Sequence, residues 1–330
     1  MEEKVTAYKG FNEDLTCRGF QYEIGKEYEE KEVSVCESGF HACENPFDVL
    51  GYYGDVLDNR FCKVEQSGTI KKDDKKQASS KIKVVAEIGF TGLFKAGIEW
   101  IEEVTNPTHI IEEMRGKNDK DKIGSSGDYA KIGSSGYSAK IGSSGNSAQI
   151  GSSGYSAQIG TSGDSAQIGS SGNYAKIGSS GKSAQIGTSG NYAKIGSSGI
   201  SAQIGSSGNY AQIGSSGDYA QIGSSGYSAQ IGTSGDYAQI GSSGNSAQIG
   251  TSGDYAKIDS TGEDSVICCA GNNSIVKAKK GSWVTLSEWK YSKEKERNVP
   301  VCVKTEFVDG ERIKTDTWYK LENGEFVEVK

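Results

Sequence analysis

The residues whose types suit chemistry best lie near the start of the chain. Cys36, His41 and Cys43 fall within eight residues, and two more cysteines, Cys17 and Cys62, lie on either side. Thiolate and imidazole are preferred zinc ligands, but the spacing C-x4-H-x-C is not that of a standard zinc finger or knuckle. Small buried cysteines and one packed histidine are the commoner explanation of such a cluster. The sequence therefore predicts no metal site and no cofactor.

Nucleophilic catalysis would need more than these residues supply. A nucleophile requires a base, and a third group must orient that base; no such set is apparent. The second histidine, His109, follows Asn106-Pro107-Thr108 and is expected on the surface where a helix begins. The sequence predicts no catalytic residue and a protein that is not an enzyme. An enzyme housed in residues 1–121, with the rest of the chain as an oligomerisation arm, stays as an alternative.

The most regular part of the chain is instead one repeated phrase of nine residues. Read from Ile123, the phrase is I-G-S/T-S-G-x-S/Y-A-Q/K, and it recurs fifteen times up to Ile258. Ala and Ile are two positions apart, so on a strand they share one face while Gln or Lys points the other way. The S-S-G-D/N/Y stretch is typical of a tight corner, since Gly accepts positive φ and Asn or Asp tolerates it. Each phrase is predicted to form one strand and one corner.

The variable positions indicate how many phrases make one coil. At 18-residue steps like residues recur after the corner glycine, as at Asp218, Asp236 and Asp254, whereas 27-residue steps mix residue types. Two strands per coil, hence a flattened parallel β-solenoid (a β-roll) with 18 residues per coil, explains this pattern. Duplication of an 18-residue unit in the gene would leave the same pattern. A lone repeat cannot offset its ordering entropy, and open solenoid ends would be exposed sheet edges.

The segments that flank the repeat supply the covers for those ends. Residues 1–121 are predicted to form an α+β module, with a helix beginning at Asn45-Pro46. Residues 122–276 form the solenoid, and residues 277–330 have the alternating pattern of an antiparallel β cap. Asp309-Gly310 is a hairpin signal inside this cap. The predicted fold class is thus mainly β, with the solenoid lying between the two end modules.

Composition and charge limit the environment and the partners. The net charge is -7, whereas residues 122–258 carry seven Lys and five Asp, a balance of +2. This is no basic nucleic-acid footprint, so direct nucleic-acid binding is not expected. The corner has Ser or Tyr where a calcium-binding roll needs carboxylates, so calcium is not expected either. We find no signal peptide and no apolar run of membrane length, so we expect no membrane contact. Together with the seven cysteines, this leads us to expect a cytoplasmic protein.

Three features together resemble a protein family. They are the opening "AYKGFNEDLTCRGFQYEIGKEYE" with "CESGFHACENPFDVLGYY", the repeat array, and the closing "GSWVTLSEW…VDGERIKTDTWYKLENGEFVEV". The whole chain resembles a mostly uncharacterised family of phage and prophage proteins with an N-terminal α+β module, a nonapeptide-repeat β-roll and a C-terminal β cap. The resemblance implies a viral origin and a role in the cytoplasm of the infected host cell. It brings no catalytic residues.

Exposed columns of the repeat are the candidate binding residues. Two columns are aromatic and one is acidic: Tyr174, Tyr192 and Tyr210; Tyr219, Tyr237 and Tyr255; and Asp218, Asp236 and Asp254. Tyr is enriched at recognition surfaces, although stacked tyrosines could equally stiffen a sheet. The Asp column suggests a partial DNA mimic, but duplex DNA carries one charge per about 1.7 Å, so a solvated corner explains it as well. Outward Gln and Tyr columns also suit side-by-side pairing of two rods as a homodimer.

We therefore expect a phage-type, non-enzymatic accessory protein. Its rigid solenoid would bind and inhibit a host protein, either a defence enzyme or a nucleic-acid-processing enzyme. The alternatives are a structural or adhesive virion component with the repeat as spacer, a partial DNA mimic, and an enzyme in the N-terminal module.

Overall fold

The structure is a computed structural model of a mainly β protein, with 7% helix and 47% strand. It describes residues 4–35, 37–53, 56–73, 75–106, 115–116, 120 and 122–329. The chain divides into two compact units, Met1–Trp100 and Ile101–Lys330. Within the described residues, neither helix has the length and apolar character needed to cross a membrane.

The first unit is built on an antiparallel sheet. Its elements are β1 (Val5–Phe11), β2 (Thr16–Cys17), β3 (Phe20–Gln21), β4 (Glu27–Glu29), β5 (Phe40–Ala42), α1 (Pro46–Leu50), β6 (Arg60–Lys72), β7 (Gln77–Glu87) and α2 (Gly89–Val104). The sheet order is β1-β6-β7-β4, and β5 also pairs with β7. The predicted helix start is confirmed, because the Asn45 side chain accepts a hydrogen bond from the Phe47 backbone N–H. Helix α2 extends into the second unit, where residues from Ile101 onward belong.

The second unit is the predicted solenoid, with about nine coils of roughly 18 residues. One of its two parallel sheets, the front sheet, contains β9 (Lys122–Ser125), β11 (Lys140–Ser143), β13 (Gln158–Thr161), β15 (Lys176–Ser179), β17 (Lys194–Ser197), β19 (Gln212–Ser215), β21 (Gln230–Thr233), β23 (Gln248–Thr251) and β25 (Val266–Cys269). Partners across each pair of strands are 18 residues apart, as with Ile213 and Ile231. The 18-residue coil is therefore confirmed.

The other sheet, the rear sheet, alternates with the front sheet along the chain. Its strands are β8 (Arg115–Gly116), β10 (Lys131–Ser134), β12 (Gln149–Ser152), β14 (Gln167–Ser170), β16 (Gln185–Thr188), β18 (Gln203–Ser206), β20 (Gln221–Ser224), β22 (Gln239–Ser242), β24 (Lys257–Ser260) and β26 (Ile275–Ala278). Between the sheets lie the predicted Ala and Ile side chains, with Ala202 and Ile204 both 0% exposed. The Ser or Thr two positions after each Ile also faces inward, and Thr188 is fully buried.

The corners differ from the prediction in one respect. Among the described residues, neither the corner glycine nor the Asn or Asp directly after it has positive φ. The positive φ falls instead on the second residue after the glycine, as at Ser183 (53°), Tyr192 (58°) and Tyr210 (56°). The glycine is required by the coil beneath it. A Cβ on Gly199 would lie 1.9 Å from the carbonyl oxygen of Gly181. Coils stacked at strand spacing leave no room for any side chain at this position.

The C-terminal cap closes one end of both sheets. It consists of β27 (Trp283–Ser292), β28 (Arg297–Phe307), β29 (Trp318–Glu322) and β30 (Glu325–Glu328). Strand β27 pairs with β25 and then with β28 in the front sheet, whereas β29 pairs with β26 and then with β30 in the rear sheet. Asp309-Gly310 therefore does not form the predicted hairpin, since the strands on either side lie in different sheets. The segment between them carries Val308 and Ile313 into the end of the solenoid core, and burial of these side chains determines its course.

Candidate binding surfaces

The predicted tyrosine columns lie at the corners of the solenoid. Tyr174, Tyr192 and Tyr210 stack with ring centroids 5.0 Å apart at each step and planes within 6°. The same ladder continues through Tyr155, at 5.2 Å with planes tilted by 43°, and Tyr227, at 5.9 Å in an edge-to-face arrangement. With Tyr137 these residues form a six-tyrosine ladder. Tyr137, Tyr155 and Tyr227 lie one position earlier in the repeat than the other three tyrosines, and their rings reach the same column. Stacked rings cover one another's faces and leave their edges and hydroxyl groups outward.

The second tyrosine column occupies the opposite corner. Tyr219, Tyr237 and Tyr255 stack at 5.1 and 4.9 Å, with planes 7° and 4° apart. The three rings are 54%, 42% and 46% exposed. The sequence therefore identified two real columns, but they run along the two corner edges and leave the flat outer faces of the sheets to other residues.

The predicted acidic column is tied to the backbone. Asp218 Oδ1 accepts a hydrogen bond from the backbone N–H of Asp236 at 3.0 Å, and Asp236 Oδ1 accepts one from Asp254 at 2.7 Å. Asp254 does the same for the N–H of Asn272 at 2.7 Å. Asn residues replace Asp in the equivalent ladder of the other corner, as in the 2.8 Å bond from Asn209 N–H to Asn191 Oδ1. A side-chain oxygen, not a negative charge, is the common requirement.

This ladder gives a direct prediction. Asp236→Ala removes the acceptor of the Asp254 N–H, so we expect amide exchange at that corner to rise roughly fivefold, the value for a net hydrogen bond of about 1 kcal/mol. Asp236→Asn keeps an oxygen in place and should leave exchange near the wild-type rate. Hydrogen-exchange mass spectrometry of the surrounding coils measures both. An equal rise in Asp236→Asn would mean that the charge, and not the acceptor, holds the corner.

The outer face of the front sheet carries an open lane without side chains. We call it the glycine lane; it consists of Gly124, Gly142, Gly160, Gly178, Gly196, Gly214, Gly232 and Gly250. A Cβ built on Gly178 or Gly196 would meet no atom within 4 Å. The lane and the neighbouring row of Lys and Gln side chains form a groove of about 1570 Å³. The six-tyrosine ladder borders this face on the Lys and Gln side, because its corners lead directly into the front strands.

The equivalent lane of the rear sheet is filled by the chain itself at Gly151 and Gly169. A Cβ on Gly151 would lie 1.6 Å from the carbonyl oxygen of Thr105, and one on Gly169 would lie 2.3 Å from Thr105 Oγ1 and 3.1 Å from Ile101 Cγ2. A carboxylate oxygen of Glu102 accepts hydrogen bonds from Ser189, at 3.1 Å from its N–H and 2.7 Å from its hydroxyl. The last turn of α2 and the residue after it therefore occupy this lane. The repeat can hold a helical turn against its glycines.

The two outer faces also differ in charge and in how they end. The front row beside the glycine lane contains four lysines and no carboxylate from β9 to β23: Lys122, Lys140, Lys176 and Lys194. At the cap the same row becomes apolar, since Gln248 is followed in register by Val266, Trp283 and Phe307. These three side chains are 55%, 50% and 38% exposed. The front face is thus basic along its first half and apolar at its last strands.

The cysteine and histidine cluster gains no support as a metal site from the described residues. Cys36 and His109 lie outside them, and among them no group of three or more His, Cys, Asp or Glu residues is placed to hold a metal ion. His41 lies in β5 opposite Ala78. Burial raises the pKa of the Cys43 thiol to about 12, so with no metal bound this side chain is a neutral thiol.

The fold and these surfaces define a β-solenoid repeat protein that carries an antiparallel module before its coils. Residues 5–96, within that module, match a family model described as "Domain of unknown function (DUF7666)". No curated protein matches the chain. No solved structure matches it either.

Proposed function

We propose that this chain is a non-enzymatic binding protein whose front sheet holds an acidic helical segment of a partner protein in the glycine lane. One observation carries the proposal: the rear lane holds the helical turn from Ile101 to Thr105, while the front lane, made of the same repeat, is open. A surface formed by backbone alone allows a helix to approach closely, and the coils beneath it are already rigid, so binding loses little entropy there.

Charge determines the kind of helix that fits. Lys122 and Lys140 lie on adjacent coils, as do Lys176 and Lys194, and coils are about 4.8 Å apart. Acidic residues at i and i+4 of a helix are separated by about 5–6 Å, so a helix along the lane presents its carboxylates at nearly the lysine spacing. In the rear lane Glu102 already shows that a helix carboxylate reaches the corner Ser189. The apolar row ending at Phe307 would receive the uncharged end of the helix.

The resemblance to phage and prophage proteins supports a proposal for the class of partner. We propose a protein of the host cell, a defence or nucleic-acid-processing enzyme, which is inhibited because the solenoid covers its acidic helix in the host cytoplasm. The Asp ladder does not favour DNA mimicry, because its oxygens at Asp218 and Asp236 bind the backbone. The six-tyrosine ladder, which borders the lane on its lysine side, would give the partner a second, aromatic contact.

Filling the lane tests this proposal. The paired substitutions Gly178→Leu and Gly196→Leu place side chains in open space, so the fold should persist while capture of the partner from host lysate falls at least tenfold. Lys182→Leu is the control, since it places the same leucine side chain at an exposed corner beside Ile200, outside the lane. Lys176→Glu with Lys194→Glu should weaken capture to a similar degree by repulsion.

The outcomes separate the alternatives. Equal capture of the same host protein by the wild type and the lane-filled variant would overturn the lane as the binding site. Absence of any captured protein, together with presence of the chain in purified particles, would favour the virion component with the repeat as a spacer.

A further inference from the structure

A lysine occupies the buried face of the first unit. Lys9 lies in β1 between the core residues Ala7 and Phe11, and only 7% of it is exposed. Its ammonium donates a hydrogen bond to the carbonyl oxygen of His41 at 2.9 Å and lies 5.4 Å from the ring centre of Phe11 and 5.9 Å from that of Tyr22. Within the part of the chain that the structure describes, no carboxylate forms an ion pair with it. A buried ammonium without a counter-ion is costly.

The ammonium faces a cavity with aromatic walls. The cavity has a volume of about 810 Å³ and lies entirely within the first unit. Phe20, Tyr22 and Tyr28 form one wall, with ring centroids between 4.8 and 5.3 Å apart in edge-to-face pairs. Phe20 is nevertheless 45% exposed, so this wall is open to an entering molecule. Apolar walls with a few placed polar groups are typical of small-molecule sites.

Three cationic side chains line the cavity: Lys9, Arg18 and Lys76. Burial lowers the pKa of His41, and the charges of Lys9, Arg18 and Lys76 lower it further. Burial also lowers the pKa of Lys9, and a hydrogen bond with the Cys17 side chain partly opposes this. The carboxylates that line the cavity, Glu29, Glu30 and Glu37, are all solvent-exposed. Lys9 thus acts where water is excluded, whereas the carboxylates, like Arg18, are exposed to water that screens them.

We propose that this cavity binds a small organic anion with a planar aromatic body, whose carboxylate or phosphate group is the missing counter-ion of Lys9. The ring of the ligand lies against Phe20 and Tyr28, and its anionic group reaches the Lys9 ammonium beside the His41 carbonyl. This site lies in the part of the chain that matches the family model, outside the solenoid. It is therefore independent of the function proposed for the glycine lane.

A pair of fluorescent probes tests the site in the full-length chain. 1-Anilinonaphthalene-8-sulfonate is a planar aromatic anion, and N-phenyl-1-naphthylamine is the same ring system without the sulfonate. We expect the anion to bind with at least tenfold lower affinity to Lys9→Met than to the wild type, while the neutral probe binds both equally. Lys63→Met on the exposed side of β6 is the matched control and should behave as the wild type. Displacement by adenosine monophosphate or by benzoate distinguishes a phosphate from a carboxylate ligand.

A second readout separates binding from a structural role. If Lys9 serves a ligand, Lys9→Met removes a buried charge at constant volume and should leave amide protection in β1 unchanged or higher. If Lys9→Met loses that amide protection, the binding test is made with Lys76→Gln, a variant at the mouth of the cavity. We expect its affinity for the anionic probe to be threefold lower than that of the wild type. Wild-type affinity for the anionic probe in both variants, or no saturable binding of it by the wild type, would overturn the proposal.

Discussion

Gly199→Ala is expected to open the solenoid around the altered coil and raise amide exchange in β15, β17 and β19 by about a hundredfold. The added Cβ would lie 1.9 Å from the carbonyl oxygen of Gly181 and 2.7 Å from its carbonyl carbon. Both atoms are backbone, so no side-chain rotation relieves the contact. Overpacking of this kind costs about 1–3 kcal/mol, and more where the neighbour cannot move. A loss of about 3 kcal/mol corresponds to two orders of magnitude in local opening.

The control for this change lies three residues away in the same coil. Gly196→Ala places a Cβ in the glycine lane with no atom within 4 Å, and the position does not have positive φ. Amide protection in the Gly196→Ala variant should equal that of the wild type or slightly exceed it, because alanine restricts the unfolded chain. Hydrogen-exchange mass spectrometry compares the two variants peptide by peptide. Similar losses in both would show that the glycines are needed for flexibility in general and not for coil stacking.

This pair also shows where sequence reasoning succeeded and where it could not. The 18-residue coil and the inward Ala and Ile were predictable, because strand alternation is a local rule. The role of the corner glycine was not, because its cause is a carbonyl group 18 residues away. Local propensity assigned positive φ to Gly, Asn or Asp. The structure uses the Asn191 side chain for a hydrogen bond to the next coil, and Tyr192 adopts the left-handed conformation.

The error in the cap and the unpredicted length of the first tyrosine ladder have the same origin. Asp309-Gly310 has the sequence of a hairpin turn, yet the end of the solenoid core needs covering and Val308 and Ile313 cover it. The continuation of the first tyrosine column through Tyr155 was not predicted, because Tyr155 and Tyr174 occupy different positions of the repeat. Their rings lie 5.2 Å apart in one ladder. Contacts between distant parts of the chain override local patterns in each case.

The candidate sites were only partly accessible from sequence. The six predicted tyrosines and three predicted aspartates could be named because their side chains recur visibly. The glycine lane could not be named from the sequence, since a glycine in a strand indicates only that a side chain is absent. The importance of the lane becomes visible when Thr105 is seen to fill the equivalent positions of the rear sheet. Lys9 likewise alternates with Ala7 and Phe11 on a buried face. A charged residue within an apolar face of a strand was the one signal that could have identified the cavity.

Removal of residues 282–330 should change the behaviour of the chain in solution more than any point substitution. Strands β25 and β26 would lose their partners β27 and β29, which leaves two rows of unpaired backbone groups beside the buried Ile267 and Val276. Such edges are templates for pairing with another chain. We expect assemblies larger than the full-length protein in the same buffer, growing with concentration, as measured by size-exclusion chromatography with light scattering.

A second truncated chain separates edge pairing from loss of folding. Val266→Lys and Ile275→Lys place charges on the outward positions of the two terminal strands, where lysine is a common means of blocking edge-to-edge association. If the cap acts by covering edges, these charges should restore most of the full-length size distribution while the coils from β9 to β23 keep their amide protection. Assembly that persists with the charges, or loss of protection throughout the coils, would mean that the cap instead supplies the core residues without which the last coils do not form. The repeat adds stability coil by coil, so a fault confined to one end should spare the distant coils.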